Sequence, residues 1–357
     1  MRCAVSTLSK EVLMKRIILL IIVTLLRGIL PTFSDDIYSF YNPHGFEFTA
    51  IDENSYSIAV GTAFTLDEAI LPKRYNKLPI VAISDNGFNG CRNLKSIVIP
   101  ETVTYIGEYA FTDCYALESF TIPDNVTVIG DFAFENCHAL SAIVIGEGTQ
   151  LTDIGEHAFA SCHALISFTI PSGITVIKDY TFSDCIALES ITIPSSVTSI
   201  GEYAFSDCFT IDSITIPDGV TSIGKYAFLD CFDLESITLP DSITSIGSYA
   251  FSGCDSLKSI TIPKGITDID AFMFRGCRAL ETVVIHDSVE DIDDYAFASS
   301  YALTTVYYEG TEATWKQISK GNIYLSRTTQ YFYSESAPTS SGNFWHYDSN
   351  GNIAVWQ

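Results

Sequence analysis

The chain has 357 residues, 47% of them hydrophobic, and carries 43 acidic against 19 basic side chains for a formal charge of −24. Such a charge repels phosphate backbones and anionic lipid surfaces, which excludes non-specific nucleic-acid binding and electrostatic attachment to membranes.

Lys15-Arg16 opens a run of ten largely apolar residues, Ile17 to Leu26, that leaves through Pro31-Thr-Phe-Ser34. A basic start before so short an apolar run predicts a secretory signal over 1–34, cleaved after Ser34, because a membrane span needs about 20 residues. An uncleaved N-terminal anchor is the alternative, and Met14 is a second candidate start. No cysteine follows the apolar run, which argues against a lipid anchor. Residues 35–69 then read as an N-terminal β cap: Phe46 and Phe48, then Tyr56, Ile58 and Val60, alternate as in a hairpin covering a first coil. Ile70-Leu-Pro72 to Ile83 resembles a degenerate repeat with a longer loop around Asn76-Lys77.

From there a phenylalanine followed three residues later by cysteine recurs from Phe88/Cys91 to Phe274/Cys277, and closes with Phe297 and Ser300. The nine cysteines (Cys91, Cys114, Cys137, Cys162, Cys185, Cys208, Cys231, Cys254, Cys277) are 23 residues apart except for one gap of 25. A fixed period of that length marks a solenoid, whose units are too small to bury an apolar face alone and stack to do so. Within one unit, Ile191 and Ile193 alternate with Ser190 and Thr192 as in a half-buried strand, and Pro194 ends it for want of a ladder donor. Val197 and Ile200 predict a second extended stretch, Gly201 a turn, and the spacing of Ala204, Phe205 and Cys208 one helical or 3₁₀ turn with all three inward.

The cysteines stand in one phase and are odd in number. Stacked residues about 5 Å apart point in parallel, so neither a disulfide nor a tetrahedral metal site is expected of them. They read as a ladder of small buried thiols.

The run Leu-x-Ser-Ile-Thr-Ile-Pro-x-x-Val-Thr-Ser-Ile-Gly-x-Tyr-Ala-Phe-x-x-Cys resembles the BspA-like class of leucine-rich repeats, over about Ile70 to Tyr308. That resemblance implies a mostly β solenoid of α/β type, a right-handed superhelix with a parallel sheet. It further implies a surface or secreted protein that adheres to host matrix proteins, other cells or other microbes. It transfers no catalytic residue. The sequence accordingly divides into a solenoid of about ten coils over 70–308 and a C-terminal cap over 309–357, with β-hairpin caps at both ends. Departures from the motif occur where two residues are added between Gly146 and Leu151, where His286 replaces proline, and where Ser300 replaces cysteine. The last two, with the strand Val306-Tyr-Tyr308, read as decay of the pattern toward a cap.

After Tyr308, the stretch Glu309 to Ile318 predicts a short capping helix. Tyr331-Phe-Tyr333 follows, then a Ser/Pro stretch, and Phe344-Trp-His-Tyr347 pairs across Asn350-Gly351 with Ile353 to Trp356 in a hairpin appendage.

Two outward rows are uniform enough to bind something. The strand face offers Ser167, Ser190, Ser213 and Ser236 beside Thr169, Thr192, Thr215 and Thr238. A hydroxyl ladder suits a flat ligand such as a glycan or extended peptide, and equally suits good strand residues with no partner. Tyr180, Tyr203, Tyr226 and Tyr249 belong to an aromatic row that serves either packing between coils or contact with a partner. His138 and His163 follow cysteines in adjacent units and are expected side by side. The acids at Glu108, Asp131, Glu156, Asp179 and Glu202 read as a solvated flank. No Gly-x-Ser-x-Gly elbow, His-Glu-x-x-His or phosphate loop is present, so no enzyme and no cofactor is expected. The expected partner is a host extracellular protein, a glycan or another cell surface. The alternative is a structural envelope or spacer protein that self-associates through its caps.

Overall fold

The computed structural model describes residues 45–60, 66–321, 325–339 and 341–356. The signal or anchor expected over 1–34 lies outside the described residues. The chain is a parallel β solenoid of about twelve turns, a little longer than the Phe-Cys count, because strands add at both ends.

Each coil opens with a strand of three or four residues. In Ser190–Thr192 the two hydroxyl residues are exposed and Ile191 is half-buried, while Ile193 beyond it is buried. Pro194 ends the strand, and its carbonyl accepts the Val197 N–H at 3.1 Å to close a turn. Val197 is fully buried and leads into the short strand Ser199–Ile200. Both strands pair in parallel at constant phase, Ser190 opposite Ser167, Ser213 opposite Ser236, and Ser199 opposite Ser222.

The third side of the coil differs from the expected helical turn. Ala204, Phe205 and Cys208 do face inward and are fully buried, but Tyr203 has φ 53° and Asp207 φ 59°. Two left-handed residues so close together break a helix into overlapping turns, of which Ser206 N–H to the Tyr203 carbonyl, 3.1 Å, is one. The N–H groups of Tyr203, Phe205 and Asp207 point instead at the next coil, to the carbonyls of Lys225, Ala227 and Leu229 at 3.0, 2.8 and 2.8 Å. The turn side is therefore a third hydrogen-bonded ladder. The spacing that suggested a helix arises because alternate N–H groups leave the coil.

The glycine after the short strand also has another role than the expected turn. A Cβ on Gly224 would lie 2.5 Å from the carbonyl carbon of Gly201 and 2.6 Å from the Glu202 nitrogen, so adjacent backbones approach too closely for a side chain. Lys178 and Asp270 occupy this register in two coils, and there the short-strand sheet is interrupted: a four-stranded run begins at Val176–Ile177 and ends at Ser245–Ile246. Asp293 occupies it without interruption, which nothing in the structure explains.

The core is a set of ladders. Phe182, Phe205 and Phe228 stack with ring centroids 5.6 and 5.4 Å apart. The nine cysteines are free and buried, and those from Cys114 to Cys277 do more than fill space. Cys208 Sγ donates to the Phe182 carbonyl of the preceding coil at 3.2 Å, and Cys231 Sγ to that of Phe205 at 3.2 Å. Ser300 makes the same bond to Phe274 at 2.7 Å, so its replacement of cysteine keeps the ladder's donor and is no decay of the pattern.

At the N-terminal end, Phe46–Ala50 and Tyr56–Val60 form an antiparallel hairpin whose second strand pairs in parallel with Leu78–Ile83. Asn76 and Lys77, with φ 49° and 73°, turn the chain inside the first degenerate repeat. At the other end, Thr311 and Thr314 form a capping box on the helix Glu312–Trp315. Thr329–Tyr333 then adds in parallel to Thr305–Tyr308, and Phe344–Tyr347 to that, before the hairpin closes on Ile353–Val355. Tyr331 to Tyr333 thus continues the solenoid sheet.

Candidate binding surface

The eight hydroxyl residues of the strand face are brought together. Ser167, Thr169, Ser190, Thr192, Ser213, Thr215, Ser236 and Thr238 are all exposed, in register within two strand pairs, Ser167–Thr169 with Ser190–Thr192 and Ser213–Thr215 with Ser236–Thr238. Thr169, Thr192, Thr215 and Thr238 make no side-chain hydrogen bond within the described residues, whereas Ser213 donates to its neighbour Asp212 at 2.8 Å. A second threonine row, beside the short strands, is engaged internally. Thr198, Thr221 and Thr244 donate to the Thr175, Thr198 and Thr221 carbonyls of the preceding coils at 3.1, 3.2 and 3.3 Å. Of these two threonine rows, the first has its hydroxyls unengaged among the described residues.

Tyr180, Tyr203, Tyr226 and Tyr249 lie elsewhere, past the short-strand sheet on the way to the turn side. They are half-buried and stacked face to face, with centroids 4.6, 4.5 and 4.8 Å apart. Ring faces so engaged leave edges and hydroxyls to solvent, which favours the packing role. The aromatic row, which runs from Tyr109 through His157 to Tyr295, has positive φ throughout, from 53° at Tyr203 to 62° at Tyr295, which residue type alone does not lead one to expect of bulky side chains. One signal was present: Asn86, φ 56°, holds the equivalent place in the first coil.

A shallow groove of about 630 Å³, missed by sequence reasoning, follows the short-strand sheet. Its floor is Ser199, Ser222 and Ser245 with Gly201, Gly224 and Gly247. Asp179, which lines it, is engaged, since its Oδ1 accepts the Glu202 N–H at 2.7 Å, and Asp131 elsewhere on the flank accepts that of Glu156 at 2.8 Å. The expected solvated flank is therefore in part a set of coil-to-coil acceptors. His138 and His163 do stack, with centroids 4.3 Å apart and planes 6° apart, and His163 Nε2 lies 2.9 Å from Asp184 Oδ2. Burial and then the His163 charge lower the His138 pKa. Parallel rings cannot aim their nitrogens at one ion, and no group of three metal-ligating side chains occurs among the described residues.

No curated protein matches the chain. Among solved structures it is similar to a leucine-rich repeat protein from Bacteroides ovatus, at 28% identity and a TM-score of 0.69, covering 84% of this chain and 80% of that one. A leucine rich cell surface protein from Faecalibacterium prausnitzii shares 29% identity over 78% of this chain and 97% of that one, with a TM-score of 0.43. The pneumococcal vaccine antigen PcpA shares the fold at 16% identity and a TM-score of 0.53, covering 81% of this chain and 92% of that one. The family description "BspA type leucine rich repeat region" matches residues 81–212 and 198–319 in six copies, more than half of the chain. With its repeated strand, turn and Phe-Cys ladders, the chain belongs to the BspA-type leucine-rich repeat family.

Proposed function

We propose that the protein is a secreted or cell-surface binding protein whose long-strand face engages a host or microbial macromolecule, a glycan or an extended polypeptide. The observation that carries this reading is the unengaged threonine row Thr169, Thr192, Thr215 and Thr238, exposed in register beside a row of exposed serines. Repeated weak polar contacts, one set per coil at about 4.8 Å, sum on a ligand that itself repeats or lies extended. The family supports an extracellular setting, and the acidic charge keeps such a surface soluble. Solid-phase binding of residues 35–357 to matrix proteins, glycans and whole cells tests it; saturable binding to one class is expected, and silence across the panel removes the reading.

Self-association is the second reading, favoured by the outermost strand Ile353–Val355, which exposes Ile353 at 38% and Val355 at 43%. Sedimentation at rising concentration decides it, since a strict monomer rules it out.

A further inference from the structure

In the register just before the buried cysteine, the coils from Asp113 to Asp230 carry aspartate, asparagine or serine, and Gly253 and Gly276 then replace them in two neighbouring coils. Both glycines have positive φ, 76° and 78°, as do the residues they replace, so the backbone path is kept and only side chains are lost. A Cβ on Gly276 would meet nothing nearer than the Gly253 nitrogen at 3.6 Å, and the Asp230 carboxylate reaches over Gly253. The space so left belongs to a hollow of about 240 Å³ on the turn side, and none of the residues lining it lies on the long-strand face.

Other departures from the repeat fall at the same place. Arg275 follows a core phenylalanine, a register in which no other coil carries a basic residue. Its guanidinium enters no ion pair or side-chain hydrogen bond among the described residues, whereas Arg278 is held by Asp255 Oδ2 at 3.3 Å. Burial, then the Asp255 charge, raise the Asp230 carboxyl, and Arg275 pulls it the other way. The charged side chains lining the hollow, Asp230, Asp255, Arg275 and Arg278, sum to zero, although the chain as a whole carries −24. The row of residues after the cysteine is also broken here: Phe209 and Phe232 stack at 4.9 Å, but Asp255 and Arg278 follow before Tyr301. Phe232 and Tyr301 are left 39% and 77% exposed among the lining residues.

We propose that this hollow binds one carboxylate-bearing sugar unit, a uronic acid, whose carboxylate takes the Arg275 fork and whose hydroxyls donate to Asp230. A guanidinium matches a carboxylate with two parallel donors, and an ionised aspartate offers only acceptors, which hydroxyls satisfy. Glycine in the floor lets a ligand approach the backbone, and the exposed rings of Phe232 and Tyr301 give the C–H face of a sugar something apolar to lie against. Size limits the occupant to a single unit, since pockets for larger ligands begin at about 300 Å³. Charge limits it as well. A phosphate monoester would bring about −1.5 to −2 beside Asp230 and Asp255, more than one free guanidinium offsets, whereas a carboxylate brings a single charge. The site is separate from the strand-face reading and does not depend on it.

Titration calorimetry of the full chain with glucuronate, glucose, acetate and N-acetylaspartate tests the proposal. Glucuronate is expected to bind saturably, and glucose, which lacks the carboxylate, and acetate, which lacks the ring, at least about tenfold more weakly. Arg275→Gln should weaken glucuronate by at least about tenfold, and Gly276→Asn should abolish binding by filling the hollow with a residue the repeat already holds at Asn136, φ 59°. Melting temperatures of both variants are expected to stay near that of the unaltered chain. A disaccharide ending in glucuronate that binds as tightly as the free acid identifies a glycan end as the source, and one that binds more weakly identifies the monosaccharide. Absence of saturable glucuronate binding overturns the proposal. So does equal binding of glucose or acetate, preference for the peptide-like N-acetylaspartate, or unchanged affinity in Arg275→Gln.

Discussion

Replacing Cys208 by alanine and by serine separates two views of the cysteine ladder. If the thiol were only a small apolar filler, alanine would be the milder change, because serine would bury a hydroxyl with nothing to bind. The structure reverses that order. Cys208 is fully buried, and its Sγ donates to the Phe182 carbonyl at 3.2 Å, a bond the serine at 300 reproduces at 2.7 Å. Burial pushes the neighbouring Cys185 thiol up to about 12, so it remains a protonated donor at any physiological pH. Alanine loses a buried group worth about 1 kcal/mol and a net hydrogen bond of about 0.5 to 1.5 kcal/mol, or about 2 kcal/mol together. The Phe182 carbonyl still accepts the Cys185 N–H at 3.3 Å, so no orphaned acceptor adds to this. Serine keeps the donor and should cost about 1 kcal/mol, chiefly the lost apolar contact. Urea unfolding followed by circular dichroism measures both. A serine variant less stable than the alanine variant would refute the donor role.

Three further substitutions probe the other ladders. Tyr203→Ala loses stacks on Tyr180 and Tyr226, at 4.6 and 4.5 Å, each worth about 0.5 to 1.5 kcal/mol, yet keeps the left-handed backbone. Tyr203→Gly relieves that backbone by about 1 to 2 kcal/mol and should melt higher than the alanine variant; equal melting temperatures would argue against positive φ in solution. Gly224→Ala forces two backbones apart and should destabilise by about 1 to 3 kcal/mol, with faster exchange of the Gly201 and residue-224 amides; an unchanged melt would mean the coils are looser than 2.5 Å implies. Phe205→Ala removes a fully buried ring stacked on both sides and should cost about 3 to 5 kcal/mol in the same assay, with a loss below 1 kcal/mol denying the core its role.

The repeat made the architecture legible, because one register assigned to Ile191, Ile200 and Phe205 propagates along the whole row. What it hid was chemistry between coils. Gly201 looks the same in sequence whether it bends the chain or makes room for a neighbour, and only the spacing of adjacent backbones distinguishes them. Tyr203 was legible as a stacked aromatic but not as a left-handed residue, since propensity points bulky side chains away from positive φ. Ser300 was the clue to the thiol bond, because a hydroxyl in a buried register asks for an acceptor, yet it equally resembles the wear of a terminal repeat. On the strand face, alternation placed Thr192 outward. It could not say that the Thr198 row is engaged internally while the Thr192 row is not.

That difference supplies the most direct measurement. Binding of residues 35–357 to the ligand class found in the panel should be compared among the unaltered protein, a variant carrying Thr192→Lys, Thr215→Lys and Thr238→Lys, and one carrying Thr198→Lys, Thr221→Lys and Thr244→Lys. Both triple variants add equal charge, so a general electrostatic effect would move them alike. Binding that falls at least about tenfold, about 1.4 kcal/mol, only in the first variant places the ligand on the long-strand face. Binding that survives there, or falls only in the second, contradicts the account and moves the site to the short-strand groove.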